Sequence, residues 1–237
     1  MKTRPKRRTK RAPILRVVQR PEDDPQYQSR AREFEKFTAA AHAEFREAAA
    51  PMLKELAAAG YEVSSLNMLA QSRSCEGAIP ILVKWLPKLP DRRVKTSIVG
   101  VLSVPWAKGK AEAALLAEFR ATADSENLGL KWAIGSALEV LASDEIFEDI
   151  VELVEDKRHG RAREMLAMAL GKMKNPRAVP VLISLLDDDE VAGHALIGLR
   201  KLNAIEARPY IVRFLKHPKS WIRQEAKKAL NKIDDLD

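Results

Sequence analysis

The chain has 237 residues, of which 46% are apolar and 31% charged, and a formal net charge of +8. That balance excludes an intrinsically disordered composition, and no apolar run approaches the roughly 18–20 residues that a membrane-spanning helix needs. The charge is local: nine of the 41 basic residues fall within the first twenty positions, which hold no acid, leaving 32 basic against 33 acidic residues elsewhere. The body is therefore close to neutral, and composition gives it no broad surface for polyanions.

Residues 1–25 read as a disordered basic tail. Dense like charge and prolines leave little apolar surface to offset the entropy of ordering. Its basic residues are Lys2, Arg4, Lys6, Arg7, Arg8, Lys10 and Arg11, followed by Arg16 and Arg20. Ile14, Leu15, Val17 and Val18 form a short apolar patch that is a candidate to dock on the body. No apolar h-region follows the charges, so a secretory signal is not expected.

Residues 26–75 read as an N-terminal helical capping segment. A long helix is predicted from Gln26 to Ala50, with Phe34, Thr38, Ala41, Phe45 and Ala48 as its stripe. Pro51 should end or kink it, because proline lacks the N–H and crowds the preceding turn. A short helix from Met52 to Ala59 should then stop at Gly60, with Ser64 or Ser65 capping another over Leu66–Ala70. Gln71–Cys75 reads as a loop. The lone Cys75 excludes an internal disulfide, fits a reducing compartment, and reads as a small structural residue rather than a nucleophile.

From Glu76 to the end the pattern repeats. First helices align as segments beginning at Ala78, Ala111, Phe147, Ala178 and Ala207, with anchors Leu82, Leu115, Ile150, Leu182 and Ile211 spaced by 33, 35, 32 and 29 residues. Second helices align at Ile98, Ile134, Leu166, Ala195 and Ala226, each followed four residues later by a leucine. Two series with a period near thirty predict a solenoid of helical pairs. Pro80, Pro180 and Pro209 share one register in the first turn, where a missing N–H costs little. Asn175–Pro176 reads as a cap followed by a first helical residue, and Asp187–Asp189 as the end of one helix and the cap of the next. Small residues, including Gly171 and Gly198, cluster in the second helices and predict close helix approach. The polar last helix reads as a terminal cap.

The stretch LGKMKNPRAVPVLISLLDDDEVAGHALIGL resembles the HEAT-repeat family, in particular the short HEAT-like repeats of phycobilisome-lyase type, and the likeness extends over about residues 76–233. It departs from the pattern after Val191, where Ala192 replaces the usual arginine. The resemblance implies an all-α, right-handed α-solenoid of about five HEAT-like pairs over residues 76–237. Such arrays are usually binding surfaces and occasionally enzymes.

The enzymatic precedents find little support in these residues. HEAT-like deoxyhypusine hydroxylases bind iron through His–Glu dipeptides, whereas His42, His159, His194 and His217 are followed by alanine, glycine, alanine and proline. No Cys/His cluster has zinc spacing, so no metal or other cofactor is expected. HEAT-like alkylpurine DNA glycosylases bind duplex DNA along a basic concave face with tryptophans at the lesion, and they are the enzymatic alternative. This chain has four tryptophans and basic residues on the second helices, but Asp188, Asp189 and Glu190 interrupt that stripe, and no motif matches residue by residue.

The resulting expectation is a cytoplasmic, monomeric and non-enzymatic scaffold that binds a protein partner through its concave second-helix face. The candidate face residues are Arg92, Arg93, Lys95, Lys131, Trp132, Arg161, Arg163, Arg223 and Lys227. The basic arm adds electrostatic attachment, with nucleic acid as its candidate partner.

Overall fold

In the computed structural model, residues 25–63, 66–70, 73–123 and 129–235 are described, excepting the side chains of 25, 67 and 73–75. The basic arm, the Ser64/Ser65 cap and the side chain of Cys75 lie outside these. The chain divides into two compact units between Glu44 and Phe45. The described part of the first is helical, formed by the start of α1 (Pro25–Ala58).

In the second unit, five helical pairs follow one another. They are α3 (Ile79–Trp85) with α4 (Arg92–Leu102), α5 (Glu112–Ala121) with α6 (Leu130–Val140), α7 (Phe147–Glu155) with α8 (Arg163–Leu170), α9 (Ala178–Ser184) with α10 (Ala192–Lys201), and α11 (Arg208–Ile211) with α12 (Ser220–Asp234). The second helices pack in series, α4 on α6, α6 on α8, α8 on α10 and α10 on α12. The fold is an all-α solenoid, with no strand among the described residues. Helical periodicity drives this arrangement: Leu82, Leu115, Ile150, Leu182 and Ile211 are each fully buried, as are Ile98, Ile134, Leu166, Ala195 and Ala226. Each pair can bury its apolar stripe only against its neighbours, which makes the stack the unit of stability.

Two glycines set the closest approach in the stack. A Cβ on Gly171 would lie 2.4 Å from the Gly198 Cα, so α8 and the backbone of α10 meet without intervening side chains. An earlier, irregular pair precedes the regular five. The short helix α2 (Asn67–Ala70) packs on α4, and Glu55 near the end of α1 accepts bonds from Lys84 Nζ and Trp85 Nε1, each at 2.8 Å. α2 thus stands in a second-helix position ahead of α4.

Several local expectations are corrected. α1 stays helical through Pro51. Pro51 and Glu47 are both exposed, so water can satisfy the carbonyl that the missing N–H leaves free. Residues Arg73–Ala78 form a 3₁₀ turn in place of a loop. Asn175 bonds the Arg177 N–H at 3.0 Å, but α9 begins only at Ala178, so Asn175 and Pro176 belong to the turn. Asp188 is not the residue preceding α10; that is Val191, which makes no side-chain cap. Asp188 instead accepts from the Glu190 N–H at 3.1 Å and meets a buried arginine. α8 starts at Arg163, and Arg161 lies in the 3₁₀ segment Lys157–Ala162 before it.

Candidate protein-interaction face

The second helices share a register immediately after their first buried apolar residue. It is occupied by Lys95, Lys131, Arg163, Ala192 and Arg223. Four of these five are cations, and each is used inside the stack. Lys95 Nζ lies 2.6 Å from Glu118 on α5, the next first helix. Lys131 is 4% exposed; its Nζ sits 3.1 Å from His159 Nδ1 and 5.3 Å from the Phe119 ring centre. Arg163 is 1% exposed and donates to Asp188 at 2.8 Å, to Glu190 at 2.6 Å, and to the carbonyls of Val154 and Gly160. Arg223 donates to the carbonyls of His217 and Pro218, both at 2.7 Å. The register therefore holds helices to turns, with Lys95, Lys131 and Arg163 reaching the following pair.

The remaining sequence-predicted face residues are more peripheral. Arg92, Arg93, Arg161 and Lys227 are exposed. Arg93 pairs with Asp91 at 2.8 Å and Arg161 with Glu164 at 3.0 Å. Trp132 is half-buried, and its Nε1 is buried without a hydrogen-bond partner among the described residues. The nine residues do not gather into one patch of free positive charge.

What the second helices do present is a half-exposed apolar strip, formed by Ala133 of α6, Met165 and Met168 of α8, and Ile197 of α10. It ends at Trp221, 42% exposed, whose ring lies on α10: a Cβ on Gly193 would come within 2.0 Å of it. His194 packs against that indole with ring centres 5.5 Å apart. Lys172, Lys201, Lys228 and Lys232 stand near the C-terminal ends of the same helices. Three are tied to carboxylates: Lys172 and Lys201 to Glu139, and Lys228 to Glu225. Arg200, Lys201, Asn203, Lys228, Asn231 and Lys232 line an open depression of about 580 Å³ there.

Residues 119–193 match the family model described as HEAT repeats. Over those residues the chain carries HEAT repeats. Comparison with curated proteins gives no match. Among solved structures the chain is similar to a designed armadillo repeat protein in complex with the peptide (KR)4, at 17% identity and a TM-score of 0.48, over 77% of this chain and 98% of that one. It is also similar to another designed armadillo repeat protein, at 15% identity and 0.49, over 81% and 92%.

The electrostatics of the stack follow from burial and pairing. Burial opposes the charged form of Arg163, but its bonds to Asp188 and Glu190 outweigh this and hold its pKa above the usual arginine value. Burial likewise opposes ionisation of Asp188, yet the Arg163 bond leaves its pKa below the usual 3.8. His194 is pushed below 6.5 by burial, against the opposing pull of Glu164. His159 is lowered by burial and then by the neighbouring Lys131 cation. Both imidazoles favour the neutral form. Among the described residues, no group of three or more His, Cys, Asp or Glu side chains could hold a metal ion. No helix of the described residues is long and apolar enough to cross a membrane.

Sequence reading found the basic register but not its use. The signal was present: a cation directly after the first buried residue of four of the five second helices sits at the border of the core, where a long side chain reaches the next turn. The apolar strip was missed because its members are not charged and lie one or two positions off the anchors.

Proposed function

We propose that the protein is a non-enzymatic, monomeric scaffold of the cytoplasm that presents its second-helix face to a protein partner, with the basic arm adding electrostatic attachment. The supporting observation is the division of labour on that face. The cations at the core border are consumed by the stack, while Met165, Met168, Ile197 and Trp221 remain accessible. Methionine and tryptophan are suited to this role, because flexible thioethers adapt to different partners and an indole supplies a large anchor. The same division weighs against the DNA-glycosylase alternative, which needs a basic groove. Trp85 and Trp106 also pack partly buried against the core.

Two measurements test the reading. A partner captured by the wild-type full chain should be lost on Met165→Glu with Ile197→Glu and kept on Arg120→Glu, a change on a first helix. Equal capture by both variants sinks the face assignment. Incubation of the full chain with alkylated duplex DNA should release no base; released base would establish the enzymatic alternative instead.

A further inference from the structure

We propose that the N-terminal region of this chain docks on an anionic lipid surface, with Phe34 and Phe37 of α1 entering the interface beside the basic arm. The inference rests on the reading of the arm as an attachment device and names what the arm attaches to.

The first observation is structural. Tyr27, Phe34 and Phe37 are 50%, 67% and 72% exposed, the last two more than any other large apolar side chain described. At about 100° per residue their positions fall within about 80° of arc, so they share one face of α1. From Tyr27 to Phe37 that face runs about 15 Å along the helix. Isolated exposed leucines need no explanation, but two exposed phenylalanines and a tyrosine on one helix face do. Arg30 lies on the same arc and is exposed, placed to extend its guanidinium toward headgroup phosphates while its methylenes stay at the apolar boundary.

The second observation comes from the sequence alone. Nine cations and no acid occupy residues 1–20, directly before this helix. The part of α1 within the first unit is electrically balanced: Arg30, Arg32 and Lys36 stand against Glu33, Glu35 and Glu44. Its aromatic face therefore gives insertion without attraction, and the arm gives attraction without insertion. Stable attachment to a bilayer takes two such signals, each marginal alone.

The aliphatic residues between the charges and α1, rather than its aromatic face, favour lipid over nucleic acid. Ile14, Leu15, Val17 and Val18, set between the charges and α1, are aliphatic. Such side chains partition into acyl chains but offer no π face on which a base can stack.

The test uses the full chain and sedimentation with vesicles of phosphatidylcholine, with and without phosphatidylserine. Binding should require phosphatidylserine, weaken with salt, and fall at least about tenfold on Phe34→Ser with Phe37→Ser, the loss expected when two phenyl groups no longer leave water. A Phe37→Trp variant should gain fluorescence quenching by brominated acyl chains that the wild type lacks. Both substitutions lie at exposed positions and leave the solenoid core untouched.

The failures are separable. If the serine variant binds as the wild type does while changing the seven basic residues of 2–11 to Gln abolishes binding, the aromatic docking is overturned and the arm reading stands. If the full chain binds duplex DNA but not the vesicles, lipid is the wrong partner. If neither is bound, the attachment reading falls with it. If the serine variant instead turns a dimer into a monomer without affecting vesicles, the face is a contact between copies and the proposal is refuted.

Discussion

Substituting Arg163 by alanine removes a guanidinium that is 1% exposed, together with the bonds it donates to Asp188, Glu190 and two backbone carbonyls. Breaking a buried ion pair by deleting one partner costs about 3–5 kcal/mol, because the charge left behind is not compensated. Here the side chain of Asp188 is 15% and that of Glu190 37% exposed, so water recovers part of that cost. A loss near the lower end, about 3 kcal/mol, is expected. For a chain of this size that corresponds to a fall in Tm of about 6–12 °C. Arg163→Lys should recover only part of it, since an ammonium cannot bridge two carboxylates with a planar fork. Arg208→Ala is the control: it pairs with Asp234, but the two side chains are 45% and 51% exposed, and a change within about 0.5 kcal/mol is expected. Urea denaturation followed by circular dichroism measures both. The reasoning is refuted if Arg163→Ala costs no more than Arg208→Ala, because the buried register would then be holding nothing.

Further outcomes follow from the same packing. Lowering pH should weaken the stack through Asp188: its folded pKa is depressed, so its contribution is present above the ordinary value of 3.8 and is lost as pH falls through the folded one, an effect that Arg163→Met should abolish in acid-unfolding curves. His194 and His159 are also depressed, so between the ordinary 6.5 and their folded values the unfolded chain binds more protons, and stability should fall as pH drops through that window. Histidine NMR titration should place both below the ordinary value, and a value above it for His194 contradicts the burial argument. Gly171→Ala should cost about 1–3 kcal/mol by overpacking against Gly198, whereas Gly100→Ala, whose Cβ meets nothing within 4 Å, should gain about 0.5–1 kcal/mol from helix propensity. Leu170→Ala should cost about 2–5 kcal/mol as a cavity in the fully buried core.

The architecture was legible because a repeat writes its core twice. Leu82 and Ile98 are uninformative alone; with their counterparts at intervals near thirty they become a stack, and all of them are buried. Helix ends were read less well: Pro51 carries the local preference of a break, but solvent lets α1 continue through it, and the Asp187–Asp189 run ends one helix without its side chains capping the next. Position 192 shows the same effect. Its missing arginine read as a departure from the pattern, but Ala192 is fully buried next to Gly193, where the Trp221 ring lies close, and a long cation there would have to displace packed side chains. The candidate face was the least legible part. A sequence gives the charge of Lys131 or Arg163 but not whether the solenoid turns it outward, and the closeness of the next turn, a contact between different repeats, is what takes it inward.

The central claim is that the solenoid spends its own cations on holding itself together and leaves polyanion attraction to the arm. Salt-dependent duplex-DNA binding of the full chain, compared with a chain in which the basic residues of 2–11 are changed to Gln, tests this most directly. The account predicts that the substituted chain keeps no salt-sensitive affinity. Retention of that affinity by the substituted chain would contradict it, because the charge would then have to come from the second-helix face.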